Sequence, residues 1–425
     1  MSILRKGSLG PAVQLLQLAL DRAGYGPLET DGIFGGATLY ALRRFQAAQG
    51  LCADGIAGTR THRALLPWYT GYLVHTLRRG ETLYALARRW GSAPEALLLA
   101  NPTLEPERIP VGTQVVVPLP FPVVPVTVDC SRALIAFCVR GLAARYPFLT
   151  PGEIGRSALG APLWSLRLGE GARRALYNAA HHANEWITAT LLLRFAEALC
   201  EAFAAGESLG GFRAAELLAR ASLVLIPAVD PDGIDLVTGE LRQGPDFERA
   251  QAIAAAYPQF PFPSGWKANL RGTDLNLQYP AGWEQAREIK AAQGIVSPAP
   301  ADFVGPAPLS APESRALYDF TLAFRPDLTI SWHTQGRVVY WRWQDREPPG
   351  ARALAERFAA VSGYAVDDAP YASGFAGYKD WFLQDFDRPG FTIEAGQGQN
   401  PLPLSQFDGI WRDCLGILVL GLAAN

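Results

Sequence analysis

A chain of 425 residues, 49% of them hydrophobic and 18% charged, has the length for two to four domains and the composition of a globular protein. Its formal net charge of −2 provides no broad basic field, which argues against nucleic acid as a partner. Five scattered cysteines, Cys52, Cys130, Cys138, Cys200 and Cys414, contain no Cys-x-x-Cys pair, so no disulfide framework is expected and the usage suits a reducing compartment. Residues 1–7 lack the apolar core of a secretory signal, and no run of about 18 apolar residues offers a membrane span.

Residues 1–68 read as a small helical domain, with Val13, Leu16 and Leu20, then Leu39, Leu42 and Phe45, at helical spacing. Two loops repeat one pattern: Asp31-Gly32-Ile33 leading to Thr38, and Asp54-Gly55-Ile56 leading to Thr61. Their glycines permit tight turns, and each threonine is expected to cap the helix that follows. The pattern resembles the bacterial peptidoglycan-binding domain attached to wall hydrolases. Residues 72–118 follow as a second module. A strand at 72–76 precedes a helix capped by Thr82, a second helix from Pro94 stopped by Pro102, and a closing strand at 111–118. This βααβ order resembles a lysin-motif domain, which implies a grip on N-acetylglucosamine-containing glycans. His75, in the first strand, reads as structural. The proline-rich run 118–125 is expected to be a stiff, extended linker.

Residues 126–425 read as one large domain. Buried strands are expected at 175–178, 222–227, 328–332 and 391–393, helices at 191–203 and 314–324, and a final buried helix at 415–424. Such alternation predicts an α/β fold with a largely parallel or mixed central sheet. Sites in these sheets lie at the carboxyl ends of strands, where His182, His333 and Glu394 all fall.

Chemistry concentrates in the segment Ala180-His181-His182-Ala183-Asn184-Glu185. His182 and Glu185, three apart, share one face of a helical turn and can reach one ion. His333, ending Thr329-Ile330-Ser331-Trp332, can supply a third ligand from another strand. Two histidines and a glutamate leave a zinc ion one open position for water. His181 competes with His182, and strand alternation turns it away if His182 faces the metal.

His182-Ala183-Asn184-Glu185-Trp186-Ile187-Thr188, Thr273-Asp274-Leu275-Asn276, Ser331-Trp332-His333 and Phe391-Thr392-Ile393-Glu394 resemble, in order, the motifs of zinc carboxypeptidases of the carboxypeptidase A class. The resemblance covers about 300 residues. It implies one Zn2+ held by His182, Glu185 and His333, with Asp274 orienting His182 and Glu394 as general base. It also places Lys267 where the family stabilises the oxyanion, with Arg271 as the alternative. Tyr371 falls at the mobile substrate-binding tyrosine, and Lys379 at the primary specificity pocket. The family continues its second motif with Asn-Arg, which clamps a terminal carboxylate; here Asn276 is followed by Leu277. That departure, with the two wall-binding modules, resembles the γ-D-glutamyl-L-diamino acid endopeptidases of spore-forming bacteria. It implies peptidoglycan glycan strands and stem peptides as partners, with cleavage between γ-D-glutamate and meso-diaminopimelate. Two other readings remain open: a wall-targeted carboxypeptidase in which Arg271 replaces the clamp, and a non-catalytic glycan-binding protein. A cytoplasmic or sporulation-associated setting, with action on wall material, is the expectation.

Overall fold

The computed structural model describes residues 2–423. Two compact units result. The first holds the described residues up to Asp129 together with Ala133–Thr150; the second holds Cys130–Arg132 and the described residues from Pro151 on. Among the described residues, no helix is long and apolar enough to cross a membrane.

The first unit opens with helices Pro11–Leu20, Gly36–Ala48 and Thr59–Thr70. Val13, Leu16, Leu20, Leu42 and Phe45 are fully buried between them. The repeated loops are organised differently from the expected threonine caps. Gly35 and Gly58 occupy the cap positions, so Thr38 and Thr61 fall inside the first helical turn. Each hydroxyl there accepts from a buried glutamine of the preceding helix, Gln17 or Gln46, at 3.2 Å in both copies. The same glutamines bond Asp31 and Asp54 side chains at 2.7 and 3.0 Å, and accept from Gly32 and Gly55 N–H. The Asp-Gly-Ile loop is thus folded around a glutamine that the loop pattern itself does not contain.

Next comes a two-stranded antiparallel pair, β1 (Tyr72–Thr76) and β2 (Gln114–Pro118), enclosing helices Leu83–Trp90 and Pro94–Ala100. Thr82 caps the first of these, accepting from Ala85 N–H at 3.1 Å. His75 pairs with Glu81 at 2.7 Å. The proline-rich run is not a solvated spacer. Leu119, Val123 and Val124 are buried, Leu119 N–H bonds Gly71 C=O, and the Arg145 guanidinium donates to the carbonyls of Gly71 and Leu119 at 2.7 and 2.6 Å. The apolar residues between the prolines draw the run into the unit, where Phe137 also stacks on Tyr69 at 5.0 Å.

An eight-stranded mixed sheet organises the second unit. Its strands are β3 (Thr150–Arg156), β4 (Pro162–Leu168), β5 (Arg173–Ala179), β8 (Ala221–Ile226), β9 (Leu328–His333), β10 (Val338–Tyr340), β11 (Ala365–Asp367) and β12 (Gly390–Glu394). A separate hairpin, β6 (Ser208–Leu209) with β7 (Phe212–Arg213), lies outside it. The order is β11-β10-β12-β9-β5-β8-β4-β3, and the four central strands, β12, β9, β5 and β8, run parallel. β8 and β9 are buried along their whole length, as parallel strands covered on both faces must be. One face receives the long helix Ile187–Ala205 and the terminal helix Phe407–Ala423, with Tyr177 donating to Leu418 C=O. Its neighbour Leu176 points to the other face and packs in a cluster with Leu317 and Trp381. The expected strands and helices are all present; Ala424 lies outside the described residues, as does Met1. Replacing Gln17 by alanine should leave Gly32 N–H and Thr38 without their buried partner and cost roughly 1–3 kcal/mol. Urea or thermal unfolding of the full chain, followed in the first unit, checks this.

Candidate metal centre and substrate cleft

The carboxyl ends of three adjacent parallel strands converge on one place. β5 ends at Ala179, and Ala180 then adopts a left-handed backbone, φ +49°, which turns the chain sharply. Such a conformation in a non-glycine residue is held by its surroundings: Ala180 N–H bonds Thr188 Oγ1, and its C=O accepts from Asp230 N–H. A short helical turn, Ala183–Glu185, follows at once, and Ala183 N–H bonds Lys267 C=O at 3.1 Å. β9 delivers His333, and the parallel register sets Glu394 of β12 directly opposite it.

Glu185 is the hub. Its side chain is 1% exposed, and its two oxygens meet His182 Nδ1 and His333 Nδ1 at 2.9 Å each. Lys267 Nζ lies 3.3 Å away, and Thr334 N–H donates to the same carboxylate. Burial alone would raise the Glu185 carboxyl; the charges of His182, Lys267 and His333 outweigh it and hold the group well below its ordinary value. His182 is bracketed on its other nitrogen by Asp274 Oδ1 at 3.2 Å. Burial opposes the imidazolium, yet Glu185 and Asp274 together push His182 up to about 10. Asp274 is itself held below the carboxylate range, because His182 outweighs the desolvation, and its second oxygen accepts from Asp302 N–H.

Ligand atoms of His182, Glu185 and His333 lie within 4.8 Å of one another. Two imidazole nitrogens and a carboxylate turned inward on one another, with an acid fixing the far nitrogen of His182, form a donor set suited to a divalent transition metal. His181 faces elsewhere. It is fully buried, bonds Tyr279 hydroxyl at 3.1 Å, and is kept neutral by burial and by the neighbouring histidines.

A cleft of about 570 Å³ opens over the triad. Lys267, Asn276, Leu277, Lys379 and Glu394 line it. Burial opposes the Lys267 ammonium, but Glu185, Asp274 and Glu394 outweigh this and raise its pKa, so it stays charged. Desolvation by burial pushes Glu394 up to about 6. Asn276 Oδ1 accepts from Tyr378 N–H at 3.0 Å. Lys379 is in the cleft wall but already engaged, donating to Asp380 at 2.6 Å and to Arg342 C=O at 2.8 Å.

Arg271 and Tyr371 are not brought to this cleft. Arg271 is exposed and lines no part of it. Tyr371 is 68% exposed, stands edge-on to Phe375, and lines a neighbouring depression with Arg342 and Trp343. Sequence reasoning also missed residues that the structure assembles. Asn400 Nδ2 donates to Thr334 C=O at 2.9 Å and approaches Glu185 at 3.5 Å. Lys290 and Asp302 pair at 2.6 Å in the cleft wall. The inward helical spacing of Trp283, Ala286 and Lys290 was visible in the sequence, but nothing there announced the partner 12 residues on.

Comparison with known proteins agrees with this architecture. The profile of the zinc carboxypeptidase family matches residues 135–415, that of a putative peptidoglycan binding domain residues 10–65, and that of the LysM domain residues 75–118. Over 287 residues the chain is 41% identical to gamma-D-glutamyl-L-diamino acid endopeptidase 1 of Lysinibacillus sphaericus, covering 67% of this chain and 70% of that protein. An uncharacterized protein of Bacillus subtilis is 37% identical over 276 residues, 64% of this chain and 72% of its own. In fold, carboxypeptidase A of Helicoverpa armigera superposes with a TM-score of 0.54 at 17% identity, covering 71% of this chain and 75% of that one. With its family profile spanning most of the second unit and a 41% identical relative over two thirds of its length, the chain belongs to the zinc carboxypeptidase family of metallopeptidases.

Proposed function

We propose that this metallopeptidase hydrolyses the bond between γ-D-glutamate and meso-diaminopimelate in peptidoglycan stem peptides, with its N-terminal modules holding it on murein. The observation that carries the reading is a cleft with the full complement of metal-binding and proton-transfer groups, but with Leu277 in the position after Asn276. An apolar, 7% exposed leucine gives a terminal carboxylate neither charge nor a bidentate donor. The relative from Lysinibacillus sphaericus, whose name states a γ-D-glutamyl-L-diamino acid specificity, supports the same substrate class.

In this reading His182, Glu185 and His333 hold one zinc ion. When bound, the ion lowers the pKa of a water and polarises the carbonyl under attack. Asp274 retains the proton on His182 Nε2 and so presents Nδ1 as a lone pair. Glu394, with a pKa of about 6, is ionised at neutral pH yet basic enough to take the proton from the attacking water and return it to the departing amine. Lys267, charged throughout, stabilises the negative charge that develops on the carbonyl oxygen. Asn276, Leu277 and Lys379 shape the wall against which the leaving residue rests. Binding of the first unit to wall polymer raises the local enzyme concentration without entering the chemistry.

Mass spectrometry of digests tests the reading. L-Ala-γ-D-Glu-meso-diaminopimelate should yield L-Ala-D-Glu and free diaminopimelate, while linear L-peptides ending in phenylalanine or arginine stay intact. Release of those C-terminal residues instead would make the protein an ordinary carboxypeptidase. Glu394→Gln should keep its zinc and fold and lose roughly 10²–10⁴ in turnover.

Metal uptake should also release a proton. Without metal His182 is protonated up to a pH of about 10, and the proton must leave Nδ1 before that atom can ligate. Apparent zinc affinity should therefore fall about tenfold for each unit of pH lowered between 6 and 9. Chelator competition across that range measures the slope; a flat profile would place the metal elsewhere.

A further inference from the structure

Two lysine–aspartate pairs stand in the cleft wall, and they are built differently. Lys379 with Asp380 is closed: both side chains are 4% exposed, and the ammonium has a second acceptor in Arg342 C=O. Lys290 with Asp302 is open on one side. The lysine side chain is 6% exposed and the aspartate 36%, and Asp302 is the one ion-pair partner of Lys290 among the described residues. An ammonium carries three donors and a carboxylate accepts on two oxygens, so both members have capacity for more.

The position of this pair follows from local structure. Trp283, Ala286 and Lys290, spaced three and four apart, share one face of the helix Trp283–Ala292. Trp283 and Ala286 pack against Leu277 in one apolar cluster. Lys290 continues that face into the cleft that Leu277 also lines. Asp302 has a left-handed backbone, φ +69°, and its N–H holds Asp274 Oδ2 at 3.2 Å. The pair is thus fastened to the acid that contacts His182, beside the wall where a leaving residue rests.

We propose that Lys290 and Asp302 together read a zwitterion, the lysine taking a carboxylate and the aspartate an ammonium. This rests on the endopeptidase reading above. The side chain of meso-diaminopimelate ends in a carbon bearing both an amine and a carboxylate. Its two charges complete the open pair as an alternating set of four. A side chain ending in an amine alone can meet Asp302 but sets its cation beside Lys290 without the carboxylate that would separate them. One ending in a carboxylate alone can meet Lys290 but leaves Asp302 facing an anion without the intervening ammonium. Unmatched charge in a desolvated wall is what discriminates.

The test compares kcat/KM of the zinc-loaded full chain on four tripeptides, L-Ala-γ-D-Glu-X. X is meso-diaminopimelate, its side-chain carboxamide, L-lysine, or L-2-aminopimelate, which has the carboxylate without the amine. The native chain should favour diaminopimelate over each of the others by roughly 10–150-fold. Lys290→Gln should bring the carboxamide and lysine substrates to within about threefold of diaminopimelate and leave the aminopimelate penalty in place. Asp302→Asn, which tolerates the left-handed backbone and keeps the N–H to Asp274, should do the reverse. Should Lys290→Gln fail to fold, Lys290→Arg should retain the preference and Asp302→Asn alone decides. Undiminished preference in folded, zinc-replete Asp302→Asn and Lys290→Gln overturns the assignment. Equal cleavage of all four by the native chain overturns the pair alone; cleavage of none overturns the endopeptidase reading and the pair with it.

Discussion

A carboxylate at 1% exposure is the constraint around which the second unit is arranged. Removing Glu185 from water would cost several kcal/mol if nothing compensated it. The protein answers with two imidazoles, an ammonium and a backbone N–H, delivered from three segments. His182 and Glu185 come from one turn, Lys267 from a distant loop whose carbonyl braces that turn, and His333 and Thr334 from the end of β9. The His182 and Lys267 cations would repel one another without the carboxylate. The imidazole nitrogens and carboxylate turned inward on one another to satisfy the buried acid are also the donor set suited to a divalent metal.

Much of this was legible in the sequence because it is local or sits at strand ends. The His182-x-x-Glu185 spacing needs only a helical turn. The buried runs ending in His333 and Glu394 announce parallel strands, and parallel strands bring their carboxyl ends together. The Leu277 departure is a single letter and reads directly. What the sequence did not reveal depends on tertiary packing. Lys379 is a cation in the expected wall, but Asp380 and a carbonyl already occupy it. Arg271, four residues from Lys267, lies outside the cleft, because Asn269 folds that loop by accepting from Arg271 and Thr273 N–H. Lys290 and Asp302 meet only because a helix that packs on Leu277 carries one of them to a loop that carries the other.

The first unit teaches a similar lesson at smaller scale. Its repeated Asp-Gly-Ile loops were recognisable by glycine and threonine, the residues usually associated with turns and caps. Their conformation is set by Gln17 and Gln46, buried side chains one helix earlier, which satisfy an aspartate, a threonine and a glycine N–H at once. The second copy reproduces these contacts almost distance for distance. A polar residue at an apolar-looking position in a helix therefore organises each loop, and a pattern search limited to the loop passes over it.

The pairing of β9 with β12 has one more consequence. His333 and Glu394 are register partners on neighbouring parallel strands, so their separation is governed by the hydrogen-bonded spacing of a sheet, about 4.8 Å. Twisting or breathing of the sheet moves the two together, as a common displacement that leaves their difference nearly unchanged. The surrounding loops have no share in that distance. Segments such as the helix bearing Lys290 can be lengthened or re-sequenced around the cleft while the spacing between these two side chains stays as the sheet sets it. The spacing of these two side chains is in this way a property of the sheet rather than of the loops that line the cleft.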